Sequence, residues 1–142
     1  MTRKRPQTYK DLEVYKLAFA FGVDSHRASM DLAKYEMWEE GSQLRRSAKA
    51  VGAAIAEGFG RRAYKADFVR YLTYAQAELN EARHHIEMLR DTNSMCADAA
   101  AHLLDRADEL GRKLHRFTEA VERGHKTSPA EGVDGAVGRR PS

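Results

Sequence analysis

Phe68-Val-Arg-Tyr-Leu72-Thr-Tyr-Ala75-Gln-Ala-Glu-Leu79-Asn-Glu-Ala82-Arg-His-His-Ile86-Glu-Met-Leu89 steps from one apolar residue to the next by four, three, four, three without a break. That alternation keeps one stripe of an α-helix apolar and is the seam of a helical bundle or coiled coil. A strand would need a period of two, which this stretch lacks. Its apolar stripe has to be covered, so the flanking sequence is expected to supply further helices.

Working outward, the chain between Pro6 and Pro129 contains no proline, as long helices require. Isoleucine occurs only at Ile55 and Ile86 while alanine is abundant, which disfavours strands. No Asn-Gly or Asp-Gly turn lies between alternating runs; Asp134-Gly135 falls near the C-terminus. A first helix is expected with Asp11 as its N-cap. It carries two apolar stripes, Leu12, Tyr15, Phe19, Val23, His26 and Met30, and Val14, Leu17, Phe21 and Ala28. Two stripes need two neighbours, supplied either by bundle partners alone or by a bundle partner and another subunit. A second helix is expected after Gly41 with Ser42 as N-cap, its core face Leu44, Ala48, Val51 and Ile55, and Gly58 and Gly60 at its end. Trp38, just before it, reads as core or as a lid on the bundle. The quoted seam is the third helix and stops near Asp91. The fourth places Ala100, Leu103, Leu104, Ala107, Leu110, Leu114, Phe117 and Val121 on one face and ends at Gly124.

The expected fold is all-α: an up-down antiparallel four-helix bundle over residues 11–123, with helices of comparable length. A basic N-terminal segment, 1–10, and a flexible glycine- and proline-rich tail, 124–142, flank it. The 142 residues carry 24 Lys and Arg against 21 Asp and Glu, a net charge of +3. No apolar run approaches the ~20 residues of a membrane span, and no signal peptide is visible. A cytoplasmic address without membrane partners is therefore expected. Cys96 is the only cysteine, so an intrachain disulfide or a Cys-based zinc site is excluded.

Catalytic and metal-binding motifs are scarce in the sequence. Glu81-Ala-Arg-His84 and Glu122-Arg-Gly-His125 share the Glu-x-x-His spacing of di-iron bundles, but such a site needs two further inward carboxylates. Glu81 and His84 flank the seam instead of lying on it. His84 and His85 point about 100° apart on a helix and do not readily chelate together. Phosphate loops, zinc-protease motifs and nucleophile elbows are all missing. No metal, no cofactor and no enzymatic activity are expected. Glu57 stands alone in the small, apolar run Val51–Phe59, which predicts a partly buried carboxylate paired with Arg61 or another arginine.

Positive charge is concentrated. Residues 44–70 hold Arg45, Arg46, Lys49, Arg61, Arg62, Lys65 and Arg70 against Glu57 and Asp67, a net +5. Tyr64, Tyr71 and Tyr74 lie among them. Basic side chains interleaved with aromatics suit nucleic acid, the cations holding phosphates and the rings stacking on unpaired bases. The opposing reading is a solvated bundle surface with tyrosines capping the core.

Residues 44–62, Leu-Arg-Arg-Ser-Ala-Lys-Ala-Val-Gly-Ala-Ala-Ile-Ala-Glu-Gly-Phe-Gly-Arg-Arg, together with Tyr71-Leu72, Ala75 and Glu81, resemble the bacterial four-helix-bundle family encoded in intervening sequences of 23S rRNA genes. Leu44-Arg45-Arg46, Ile55-Ala56-Glu57-Gly58 and Arg61 match that family's motif, and Asp11-Leu-Glu-Val-Tyr15 is similar to its opening. Ala54 replaces a usual Asn, and Ala77-Glu78 replace a usual Gly-Ser. The resemblance implies a closed protomer, a homopentameric ring with a basic surface, and a motif in which Ile55, Glu57 and Gly58 are structural. The accessory protein of diversity-generating retroelements is similar in fold, which implies RNA or DNA and a nucleic-acid-processing protein as partners. The functional expectation is a non-enzymatic oligomer that holds phosphates with Arg45, Arg46, Lys49, Arg61, Arg62 and Lys65. A protein-interaction scaffold without nucleic acid is the alternative.

Overall fold

The computed structural model describes residues 5–127, with side chains to residue 124. A 3-10 turn at Tyr9–Asp11 leads into α1 (Glu13–Met30), the short α2 (Lys34–Trp38), α3 (Glu40–Gly60), α4 (Lys65–Asp91) and α5 (Ala97–Thr127). There is no strand among the described residues. The four long helices run up and down in a closed square, α1 against α3 and α5, α4 against α3 and α5. Cross-links confirm the antiparallel sense. Arg45, near the start of α3, bonds Ser29 at the end of α1. Lys113 of α5 pairs with Glu13 at the start of α1.

The quoted seam is the spine of the core. Leu72, Ala75, Leu79, Ala82, Ile86 and Leu89 are completely buried, and Phe68 is nearly so. Leu44, Ala48, Val51 and Ile55 face them from α3, and Ala100, Leu103, Ala107, Leu110 and Leu114 from α5. On α1 the buried stripe is Val14, Ala18, Phe21, Gly22, Ser25 and Ser29. The other α1 stripe is split: Leu12 is buried, Tyr15, Val23 and His26 are half-buried, and Phe19 and Met30 are 59% and 49% exposed.

Several local expectations are corrected. Asp11 does not cap α1. Its carboxylate accepts from the backbone N–H groups of Gln7 and Thr8, while the Thr8 hydroxyl oxygen accepts from Lys10 N–H, a reciprocal box closing the 3-10 turn. Ser42 is not the N-cap of α3, which begins two residues earlier; its hydroxyl donates to the Glu39 carbonyl inside the first turn. Glu36 of α2 accepts the Glu40 N–H at 3.4 Å, so α2 supplies what Ser42 was expected to supply. Gly41 is packed, not a breaker: a Cβ there would sit 3.0 Å from the Glu36 carbonyl oxygen. Trp38 is 66% exposed and forms neither core nor lid. The helices span 18, 21, 27 and 31 residues, so they are not of comparable length.

Two glycine readings also change. Gly124 does not end α5, which continues to Thr127; one solvated glycine costs about 1 kcal/mol and does not break a long helix. The rest of the tail, 128–142, and the basic residues Arg3 and Lys4 lie outside the described residues. Gly58 does not terminate α3 either. It lies inside the helix, where an added Cβ would meet Tyr71 Cβ at 2.9 Å and Phe68 Cδ1 at 3.3 Å. Gly60 meets nothing within 4 Å. Gly58→Ala is therefore expected to lose about 1–2 kcal/mol, the overpacking cost exceeding alanine's helix advantage. Gly60→Ala should stay within about 0.5 kcal/mol of the parent. Urea denaturation of the two variants checks the contrast.

Candidate nucleic-acid interface

Geometry divides the basic window into two groups. Arg45 and Arg61 are 16 positions apart on a helix rising 1.5 Å per residue, about 24 Å end to end. Arg45, Arg46 and Lys49 belong to the half of the bundle near α2. Arg61, Arg62 and Lys65 occupy the opposite end, where α3 turns into α4.

Arg45 is turned inward. Its guanidinium donates to the Ser29 hydroxyl oxygen at 2.8 Å and to the Met37 carbonyl at 3.0 Å, and it lies 6.0 Å from the Trp38 ring centre. It binds the ends of α1 and α2 to α3. The surrounding corner is acidic, with Asp31, Glu36, Glu39 and Glu40 against Lys34 alone in residues 31–40. His85 of α4 is buried there, its Nδ1 2.6 Å from Glu40 Oε1, and Ser94 donates to Glu36 at 2.8 Å. Arg46 is exposed beside Glu78 of α4. Lys49 is exposed at the rim of an apolar groove between α1 and α3, where Tyr15, Phe19, Val23 and His26 line one wall.

The other end is built around aromatic rings. Phe59, Phe68 and Phe117 meet edge to face, with ring centres 6.4 and 5.9 Å apart, and plug the bundle. Arg61 caps α3, its N–H donating to the Gly58 carbonyl at 2.9 Å. Its guanidinium pairs with Glu57 at 3.3 Å, approaches Asp67 at 3.8 Å and lies 5.0 Å from the centre of Tyr71. Glu57 thus has the partner expected of it. It is exposed, however: position 57 lies about 200° around α3 from buried Ile55. Arg62 lies 4.0 Å from the centre of Phe59 and donates to that residue's carbonyl at 3.0 Å. Lys65 donates to the Glu122 carbonyl of α5 at 3.2 Å, and no carboxylate among the described residues pairs with it. Arg70, counted in the basic window but not among the expected phosphate contacts, joins this group. It pairs with Asp67 at 3.0 Å and lies 5.6 Å from the centre of Tyr71. The signal for it was local, an Asp-x-x-Arg pair one residue before a tyrosine.

Residues 57–70 therefore bring four cations and two carboxylates to this end, over a face that includes the exposed ring of Tyr64. Such a surface attracts polyanions and offers several hydrogen-bond donors to phosphate oxygens. Glu81 and His84 are both exposed, and no three His, Cys, Asp or Glu side chains among the described residues converge as metal ligands. The side chain of His125 lies outside the described residues. Cys96 is exposed. No described helix is long and apolar enough to cross a membrane.

A closed antiparallel square of helices, sealed by glycine contacts and basic at one turn, defines a small bundle protein of the all-α class. The chain belongs to the 23S rRNA-intervening sequence protein family, which it matches over residues 10–116. Its fold is similar to the crystal structure of a protein of unknown function from the S23 ribosomal protein family, from Bacteroides thetaiotaomicron. The TM-score is 0.66 at 21% sequence identity, covering 74% of this chain and 97% of that one. That likeness concerns the fold alone. No curated protein matches the chain.

Glu78 of α4 lies beside Arg46 and Glu81. Burial and the neighbouring Glu81 carboxylate raise its pKa, and Arg46 offsets this in part. The folded state consequently holds this proton more tightly than the unfolded state does, so Glu78 favours folding at low pH. The contribution fades as pH climbs from the ordinary glutamate range through the raised value. Glu78→Gln should flatten that part of the stability curve, as thermal unfolding measured between pH 4 and pH 7 would register (~3 units spanning the carboxylate range).

Proposed function

We propose that this protein is a non-enzymatic, self-associating bundle that binds RNA or DNA through the α3–α4 end. The observation that carries the reading is the grouping of Arg61, Arg62, Lys65 and Arg70 on one solvent-facing end, on side chains held by carbonyls and aromatic rings. Binding of this kind is sequence-tolerant and falls steeply with salt, because each phosphate contact releases condensed counterions. Arg46 and Lys49 contribute to the field along the same helix. Arg45 serves the fold, two of its five N–H donors holding Ser29 and the Met37 carbonyl.

Self-association is supported by the α1–α3 groove, where Phe19 is 59% exposed beside half-buried Tyr15 and Val23. A ring of five follows from the family resemblance and repeats the basic end several times on one assembly, which strengthens its field. The same groove also favours the second reading, a protein scaffold whose partner contact survives nuclease treatment.

The test is fluorescence anisotropy with labelled oligonucleotides over a salt series, with light scattering on the same samples. The parent should lose affinity linearly in log salt, with a slope of about −2 to −3 for three or four contacts. Reversing charge at Arg61 and Arg62 together should shrink the slope by roughly 2 and abolish most binding, with helicity by circular dichroism unchanged. Five protomers of 16.0 kDa would scatter as a particle of about 80 kDa. Binding that is indifferent to both salt and the double reversal defeats the proposal.

A further inference from the structure

We infer that the α3–α4 end takes single-stranded nucleic acid, with the ring of Tyr64 as the stacking surface for an unpaired base. This rests on the electrostatic reading above and adds the class of strand to it.

Three tyrosines lie near the cations, and the structure gives them different work. Tyr71 is occupied: Arg61 and Arg70 lie against its ring, and Tyr74 meets it edge-on with ring centres 5.3 Å apart. Its task is to hold the guanidinium groups in place. Tyr64 is 70% exposed. Among the described residues its ring makes no aromatic or cation contact, and its hydroxyl no hydrogen bond. The backbone beneath it is fixed on both sides. Its N–H donates to the Arg61 carbonyl at 2.9 Å, and its carbonyl accepts the Phe68 N–H at 3.0 Å as α4 begins. The ring is thus presented from a rigid base, and ordering it against a ligand restricts only two side-chain torsions.

What surrounds the ring selects the ligand. Arg61, Arg62 and Lys65 are three, two and one positions away, at most about 10 Å of extended chain. Exposure alone does not make the case, as Tyr35 shows. Tyr35 is also 70% exposed, but it lies among Asp31, Glu36, Glu39 and Glu40, which repel phosphate. Tyr64 combines an open π face with adjacent positive charge. In a duplex the base faces are stacked on one another and closed to a side chain, whereas an unpaired base offers its face to an aromatic ring. Base faces are common to RNA and DNA, so the ring itself favours neither.

The experiment measures anisotropy of a labelled mixed-sequence oligonucleotide, as single-stranded DNA, as the same sequence in RNA, and as duplex DNA, against the full chain at matched salt. The parent should bind either single strand more tightly than the duplex. Tyr64→Ala should weaken single-strand binding roughly tenfold and leave duplex binding and the salt slope unchanged. Tyr64→Phe should retain parental affinity, since stacking needs the ring and not the hydroxyl. Tyr35→Ala should behave as the parent. If Tyr64→Ala binds single strands as well as the parent while charge reversal at Arg61 and Arg62 still abolishes binding, the stacking inference is overturned and the electrostatic reading stands. Equal losses on single strand and duplex overturn it as well. If the parent binds none of the three probes, both readings fall together.

Discussion

A hydrogen atom at Gly58, where any other residue carries a Cβ, lets the end of α3 close onto the start of α4. Tyr71 Cβ and the Phe68 ring occupy the space that a side chain would take. With α3 drawn in, Phe68 reaches both Phe59 and Phe117 and three rings close the end of the bundle. The same approach sets the reach of the turn residues. Arg61 falls over Tyr71 because the helix axes are this close, and Lys65 reaches a carbonyl of α5. Gly22 and Gly52 repeat the device between α1 and α3, where an added Cβ would lie 3.6 Å from its neighbours, ordinary contact with some tolerance. Of these three glycines Gly58 makes the strictest demand, and the basic end is built upon it.

The bundle was legible because each long helix carries its own burial pattern. The α4 seam from Phe68 to Leu89 is buried along its whole length, and a 3.5-residue repeat is a local property of sequence. Some departures are competitions between local caps, as where Gln7 and Thr8 take the Asp11 carboxylate; others depend on groups distant in sequence or on side-chain direction. Ser42 has the chemistry of a cap but loses the position to a segment that folds back, with Glu36 accepting the Glu40 N–H. Arg45 belongs by sequence to the basic window and the Leu-Arg-Arg segment, and its inward bonding is invisible there. Its partner Ser29 is 16 positions earlier, beyond what a local pattern reports. Glu57 looked buried by its neighbours in sequence, but side-chain direction rotates about 100° per residue, so an apolar run need not enclose each of its members.

The candidate site was legible in composition and not in arrangement. A net +5 over residues 44–70 suggests one continuous patch. Its halves lie toward opposite ends of α3, Arg45 and Arg61 being 16 positions or about 24 Å apart, and the folded-back α2 segment brings its carboxylates next to one half only. Ion pairs then grade the cations at the basic end. Arg61 and Arg70 share Asp67, and Arg61 also meets Glu57, while Lys65 is bonded to a neutral carbonyl. These surface pairs contribute little to stability, about 0–1 kcal/mol each. Their effect is to hold the guanidinium planes near the rings.

Part of the charge asymmetry has a folding reason. Glu39 and Glu40 stand at the N-terminus of α3, and Arg61 and Arg62 just past its C-terminus, the arrangement that a helix dipole favours. Those four residues would be explained by the stability of α3 alone. Lys65 would not. It is the first residue of α4, where the dipole disfavours a cation, and Asp67 in the same turn is the residue that suits the position. Nor does Tyr64 earn its place by packing, since most of its ring is in water. Helix stability and core burial therefore account for the cations on the α3 side of the turn, and Lys65 ties the start of α4 to a carbonyl of α5, which leaves the exposed ring of Tyr64 without a packing role. An aromatic face that the core does not use, next to a cation whose carboxylate partners are absent among the described residues, is the pairing that stacking on an unpaired base calls for.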